Sequence, residues 1–165
     1  MTDSEPKRLI PMWFQVTFLG LLATIVISLL LMWPVFYSTL DDIKSTSKTE
    51  ISQLSLWSPG GRTQKLPIDT WDALQGPINK SNRIYYTGLR GEQYTRFCSL
   101  AIHRDRDFLG YILELRTRPT MKGAIELELQ RGSPGSHWSY GSYSGNALLG
   151  ALQERYPEMC RPQTN

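Results

Sequence analysis

The chain has 165 residues, with 18 Lys and Arg against 15 Asp and Glu and a formal net charge of +3. That length allows one modest folded domain plus extras, and the mixed, mildly positive balance leaves no polybasic footprint for nucleic acid. Only two cysteines, Cys98 and Cys160, and two histidines, His103 and His137, are present, so a CxxC metal or redox framework is excluded.

Apolar residues are unevenly placed. Residues 12–33, MWFQVTFLGLLATIVISLLLMW, run without a formal charge. As a helix rising about 1.5 Å per residue, this stretch spans roughly 33 Å, against about 30 Å for a bilayer's hydrocarbon core. The pattern predicts one transmembrane helix with its interfacial exit over residues 12–37. Trp13 at one end and Trp33 and Tyr37 at the other suit the two membrane–water interfaces, and Pro34 suits a helix end. A cleaved signal peptide would have a shorter apolar stretch followed by small residues, which the WPVFY exit lacks. Lys7 and Arg8 precede the span, and Asp41 and Asp42 follow it. The expectation is therefore a short cytoplasmic head, residues 1–11, in the inner (cytoplasmic) membrane, with the C-terminal part periplasmic or extracellular. Within the span, Gly20, Thr24 and Ser28 recur at four-residue spacing, a small-residue face suited to transmembrane packing against another helix.

Residues 38–50, STLDDIKSTSKTE, read as a polar stalk, leaving an extracytoplasmic domain over residues 51–165. Residues 51–57 and 82–87 suggest strands, and so do residues 93–102, where Tyr94, Cys98, Leu100 and Ile102 share parity. The tract HRDRD, residues 103–107, reads as a solvated charged turn. Residues 111–116 and 124–130 alternate apolar and polar side chains around a turn at residues 118–123, which predicts an antiparallel hairpin with one wet face. On that face Glu114, Arg116, Glu126 and Glu128 would form an exposed cross-strand ion pair of little energetic weight. Asp69 could cap a short helix holding Trp71, Ala73 and Leu74 and ended by Gly76-Pro77. Ser144 or Asn146 could cap a longer helix through Tyr156, with Leu148, Leu149 and Leu152 as its apolar stripe. The predicted fold class is α+β: one N-terminal transmembrane helix, then a small domain with a meandering antiparallel sheet and one or two packed helices. A disulfide between Cys98 and Cys160 would pin the C-terminal segment to the sheet and contribute roughly 4 kcal/mol in the chain-entropy model; two separate buried thiols are the competing reading.

Signatures of catalysis are missing from the sequence: there is no HExxH, Walker loop, GxGxxG or GxSxG. Ser136, His137 and Asp105 make a triad only on paper. Asp105 and Asp107 are interleaved by Arg104 and Arg106, and His103, Asp105 and His137 are a weak metal set, so no catalytic residue, cofactor or metal is expected. Residues 131–145, RGSPGSHWSYGSYSG, present His137, Trp138, Tyr140 and Tyr143 on a Gly/Ser backbone, a composition suited to partner contacts; the competing reading is a last strand whose aromatics enter the core. Asn79-Lys80-Ser81 matches a glycosylation sequon, of consequence only in a eukaryotic source. Together these features point to a non-catalytic accessory or interaction subunit of an envelope complex. Its partners would be the membrane and other membrane or envelope proteins, not nucleic acid, with room for a small-molecule ligand. One alternative is a signalling co-receptor that senses a small ligand with a partner, which requires an apolar cavity between sheet and helices. Another is an envelope hydrolase with His103 or His137 in a cleft.

Overall fold

The computed structural model describes residues 17–28, 39–85, 93–133 and 136–164, with the side chains of residues 133, 136–138 and 164 left aside. The chain forms two compact units, Met1–Tyr37 and Ser38–Asn165. In the first, residues 17–28 are helical (α1) and exposed throughout. Thr24 Oγ1 donates back to the Gly20 carbonyl at 2.9 Å, the usual way a hydroxyl is satisfied within an apolar helix. Among the described residues no helix is long and apolar enough to cross a membrane. The remainder of the expected span, residues 12–16 and 29–33, lies outside the described residues.

The second unit is built on strands β1 (Ile51–Trp57), β2 (Thr63–Leu66), β3 (Arg83–Ile84), β4 (Thr95–Arg104), β5 (Tyr111–Thr117), β6 (Glu126–Ser133), β7 (Ser136–Ser144) and β8 (Gln163–Thr164). They form one sheet in the order β2-β1-β4-β5-β6-β7-β3, with β8 beside β4; every pairing is antiparallel. The expected β5–β6 hairpin is present, with Leu113 opposite Leu129 and Arg116 opposite Glu126. Its turn uses Lys122 and Gly123 at positive φ.

One face of the sheet is apolar. Leu54, Leu56, Cys98, Leu100, Ile102, Leu113, Leu115, Leu127 and Leu129 lie in a single buried cluster with side chains from three helices. These are α2 (Leu40–Lys44), α3 (Thr70–Asn79) and α4 (Asn146–Arg155). The α+β fold with a mostly meandering antiparallel sheet is thus as expected, and the Cys98–Cys160 disulfide is present. Leu148, Leu149 and Leu152 are buried as the stripe on α4 predicts.

Several expectations are corrected. Residues 38–50 do not form a stalk. Leu40 and Ile43 of α2 are buried in the core, and the Asp42 carboxylate accepts the Thr39 N–H at 2.9 Å. The apolar 40/43 pair, three apart on a helix, is enough to draw this polar segment onto the domain. The α3 helix does not stop at Gly76-Pro77 but runs through Pro77 to Asn79, because burying Ile78 draws its last turn into the core. Asp69 makes no capping hydrogen bond; it pairs with Lys48 at 2.6 Å instead. Gly145, not Ser144 or Asn146, occupies the N-cap of α4, while Asn146 Oδ1 accepts the Ile125 N–H at 2.8 Å. Residues 86–87 of the expected 82–87 strand lie outside the described residues.

The charged tract at residues 103–107 is not simply solvated. Arg104 ends β4 buried on the core side. Its guanidinium donates to the Asp42 carbonyl at 3.1 Å, to Thr46 Oγ1 at 3.0 Å and to the Tyr111 hydroxyl at 2.7 Å, and it pairs with Asp107. The Tyr111 ring lies 4.8 Å from the Arg104 guanidinium carbon and 4.5 Å from that of Arg131. This stack of cation, ring and cation closes the edge of the core beside α2.

Candidate binding face

The other face of the sheet carries polar side chains, yet it is not wet. Glu114 is 5 % exposed, Arg116 7 % and Glu126 1 %, with Gln130, Ser55 and Ser99 also buried. Strand register explains the chemistry. Glu114 lies opposite Glu128 and Arg116 opposite Glu126, so two carboxylates face each other directly, an arrangement that repels. Arg116 resolves it. Its Nε and Nη2 hold both oxygens of Glu126 at 2.8 and 3.1 Å, and Nη1 donates to Glu128 Oε2 at 2.6 Å. Arg118 Nε adds a bond to Glu126 at 3.0 Å.

Neighbouring strands complete the network. From β7, the Ser142 hydroxyl donates to Glu126 and Ser139 Oγ to Glu128 Oε1 at 2.7 Å. Gln130 Nε2 donates to Glu128 Oε2 at 2.8 Å. Burial works against the charge on Glu126, but the bonds from Arg116 and Ser142 and the adjacent guanidinium charge outweigh it and hold its carboxyl at about 2. On Arg116 the same balance runs in favour of the charged form and raises its pKa further.

Tyr94 covers this network. Its ring centroid lies 5.0 Å from the Arg116 guanidinium carbon, 5.7 Å from that of Arg118 and 5.8 Å from that of Arg96. A register shift between Arg96 and Cys98 changes the parity of β4, so Tyr94 does not follow Cys98, Leu100 and Ile102 into the core as the shared spacing predicted. The bulge also turns Arg96 onto the polar face, where its Nη2 lies 3.3 Å from Glu114 Oε2 and donates to the Tyr94 hydroxyl at 3.2 Å.

Beside the network a cleft of about 620 Å³ crosses β1, β4, β5 and β6. Trp57 and the turn at Ser58 and Pro59 bound it at the β1 end, Glu114 and Gln130 at the other, with Ser99 and Arg96 between. Glu114 Oε1 has no hydrogen-bond partner, and neither has Arg96 Nε. Glu114 Oε1 lies 3.7 Å from Arg116 Nη1, close enough for attraction but too far for a hydrogen bond. The face therefore holds rigid, oriented polar groups, and two of them are unsatisfied.

The residues singled out in the sequence are not gathered here. Tyr143 is 6 % exposed in the core, and its hydroxyl accepts the Leu40 N–H at 3.3 Å. Tyr140 is half-buried against the same core, and burial raises the pKa of its phenol. For both tyrosines the reading as core residues of a last strand describes their position. The side chains of His137 and Trp138, and that of Ser136, lie outside the described residues. His103 is half-buried against Gly110, so close that a Cβ there would sit 2.5 Å from its Cε1. Asp105 is exposed. Among the described residues no group of three or more His, Cys, Asp or Glu could hold a metal ion. Gly20, Thr24 and Ser28 sit on α1, in the other unit, and Asn79 is exposed at the end of α3.

Sequence reasoning missed the cleft and its neighbours Trp57, Arg96 and Glu114. The available signal was the charge pattern itself: Glu114, Arg116, Glu126 and Glu128 alternate with leucines on paired strands, and a lone Arg among three Glu demands a shared, ordered network.

Comparison with known protein families, with curated proteins and with solved structures finds no match.

Proposed function

We propose that the chain is a single-pass membrane protein of the cell envelope that works by binding, an accessory subunit whose outer domain holds its partner on the polar face of the sheet. The observation that carries this reading is the buried ionic network around Arg116 lying directly beside an open cleft. Burying such a network costs desolvation energy that an apolar face would not incur, and ionic groups of this kind are better suited to specificity than to stability. Membrane attachment is supported by the uncharged run at residues 12–33, and an oxidising compartment by the Cys98–Cys160 bridge.

Two measurements test this. The full chain should stay with membranes through an alkaline carbonate wash and come off only in detergent; release by carbonate defeats the anchor. A photo-crosslinking residue at Gln53 or Thr63, beside the cleft, should give a discrete adduct in native membranes. The same residue at Asp72, on the exposed side of α3, should give none. Equal adducts at both places, or none at either, would defeat the binding face.

A second reading, a co-receptor that senses a small ligand, is favoured by the unsatisfied Glu114 Oε1 and Arg96 Nε at the cleft. Its expected location changes. The space between sheet and helices is packed with core side chains, and the ligand would sit on the opposite face.

A further inference from the structure

We infer that the cleft beneath Trp57 binds a neutral, hydroxyl-rich ligand the size of one or two sugar rings. The inference rests on reading the polar sheet face as the binding face and names what that face takes.

Volume comes first. About 620 Å³ falls within the range of roughly 300–1,000 Å³ typical of small-molecule sites and exceeds the bulk of a single hexose. Charge comes second. The ionisable side chains lining the cleft are Arg96 and Glu114, and they pair with each other at 3.3 Å. Their sum is zero, so a ligand with net charge meets no compensating partner. Hydrogen bonding comes third. Glu114, more than nine-tenths buried, has an oxygen that lacks a donor, and Arg96 Nε lacks an acceptor. Buried polar atoms are seldom left this way. A hydroxyl both donates and accepts, so one vicinal diol could satisfy the two residues after a small rotation of each side chain. Ser55, Ser99 and Gln130 line the same cleft and add hydroxyl and amide groups of matching chemistry. Last, Trp57 is half-buried at the rim. Its ring face is electron-rich, and the C–H-bearing face of a pyranose carries the complementary partial charge.

The test uses the full chain in a non-glycosidic detergent. Equilibrium dialysis would be run with D-glucose, N-acetyl-D-glucosamine and their β-1,4-linked disaccharides, and in parallel with glucuronate, glucosamine and triglycine. At least one neutral saccharide should bind saturably, with a dissociation constant on the order of 1 mM or tighter. Glu114→Ala and Trp57→Ala should each weaken binding at least about tenfold, and Trp57→Phe should keep most of it. Trp57→Phe retains a ring at the rim, so it reports on stacking even where Glu114→Ala fails to fold. Absence of saturable binding by every neutral saccharide overturns the inference. So does tighter binding of the charged sugars, displacement of the saccharide by triglycine, or affinity unchanged in the Trp57 and Glu114 variants. If crosslinks at Gln53 and Thr63 persist while no saccharide binds, the ligand class fails and the binding face stands; if both fail, the face itself is wrong.

Discussion

Arg116 grips Glu126 with two parallel hydrogen bonds, at 2.8 and 3.1 Å, on a sheet face that carries no helix. Bidentate guanidinium–carboxylate pairs are the strongest and most directional ion pairs available to side chains. Removing one partner leaves the other buried and uncompensated. Arg116→Met should therefore cost about 3–5 kcal/mol in a denaturant titration of the full chain. The double variant Arg116→Met/Glu126→Leu should recover much of that loss, since no lone charge remains at the site. A double variant as unstable as the single one would contradict the pairing.

The same pair sets an acid limit. The Glu126 carboxyl, held at about 2 against an ordinary 4.5, binds a proton less readily folded than unfolded. Its contribution is complete above about pH 4.5 and drains away as pH falls towards 2. A gap of that size corresponds to about 3 kcal/mol. Urea midpoints at pH 7, 4.5 and 3 should fall across the last two values, and Glu126→Gln should flatten that fall while lowering stability at pH 7. An identical acid slope in wild type and Glu126→Gln would remove Glu126 as the cause.

Truncating Leu40 distinguishes a docked helix from a tether. Leu40 is fully buried, and α2 also supplies Thr46 and the Asp42 carbonyl to Arg104. Leu40→Ala should lower the unfolding free energy of the outer domain by about 2–5 kcal/mol. In a flexible stalk the same change would leave the unfolding curve where it was.

The Cys98–Cys160 bridge closes a loop of 62 residues. Its reduction, or Cys160→Ser, should cost about 4 kcal/mol in the chain-entropy model. The loss should also reach the cleft. β8 pairs with β4 at Thr95 and Arg96, so freeing the C-terminal segment loosens the strand that positions Arg96. Limited proteolysis should then cut after Arg96 or Arg161 in the reduced protein before it cuts the helices.

Strands with strict alternation were the most legible part of the sequence. Leu113, Leu115, Leu127 and Leu129 alternate with charged or polar residues, and period 2 has no other reading over such a length. Tyr94 was placed wrongly because a bulge between Arg96 and Cys98 breaks that period, and bulges leave no mark on composition. Two-residue elements such as β3 and β8 are too short to show any period. The role of α2 escaped because only Leu40 and Ile43 bury, two residues in a stretch dominated by Ser, Thr and charge. The polar face was visible as a pattern but misjudged as wet. Whether Glu114 and Glu126 meet water depends on Tyr94, Arg118, Ser139 and Ser142 from distant parts of the chain. The cleft was illegible for the same reason, since its walls come from β1, β4, β5 and β6.

Because the thiol that Cys98 needs comes near the end of the chain, covalent closure is a late event in biogenesis. While ribosome and translocon deliver the chain from its N-terminus, β4 and β5 emerge with an unpaired sulfur, and no second cysteine outside the bridge is available for a wrong pairing. Oxidation then reports that the whole chain has been delivered: a molecule stopped short of Cys160 keeps a free thiol at the centre of its sheet, where thiol-dependent quality control can recognise it.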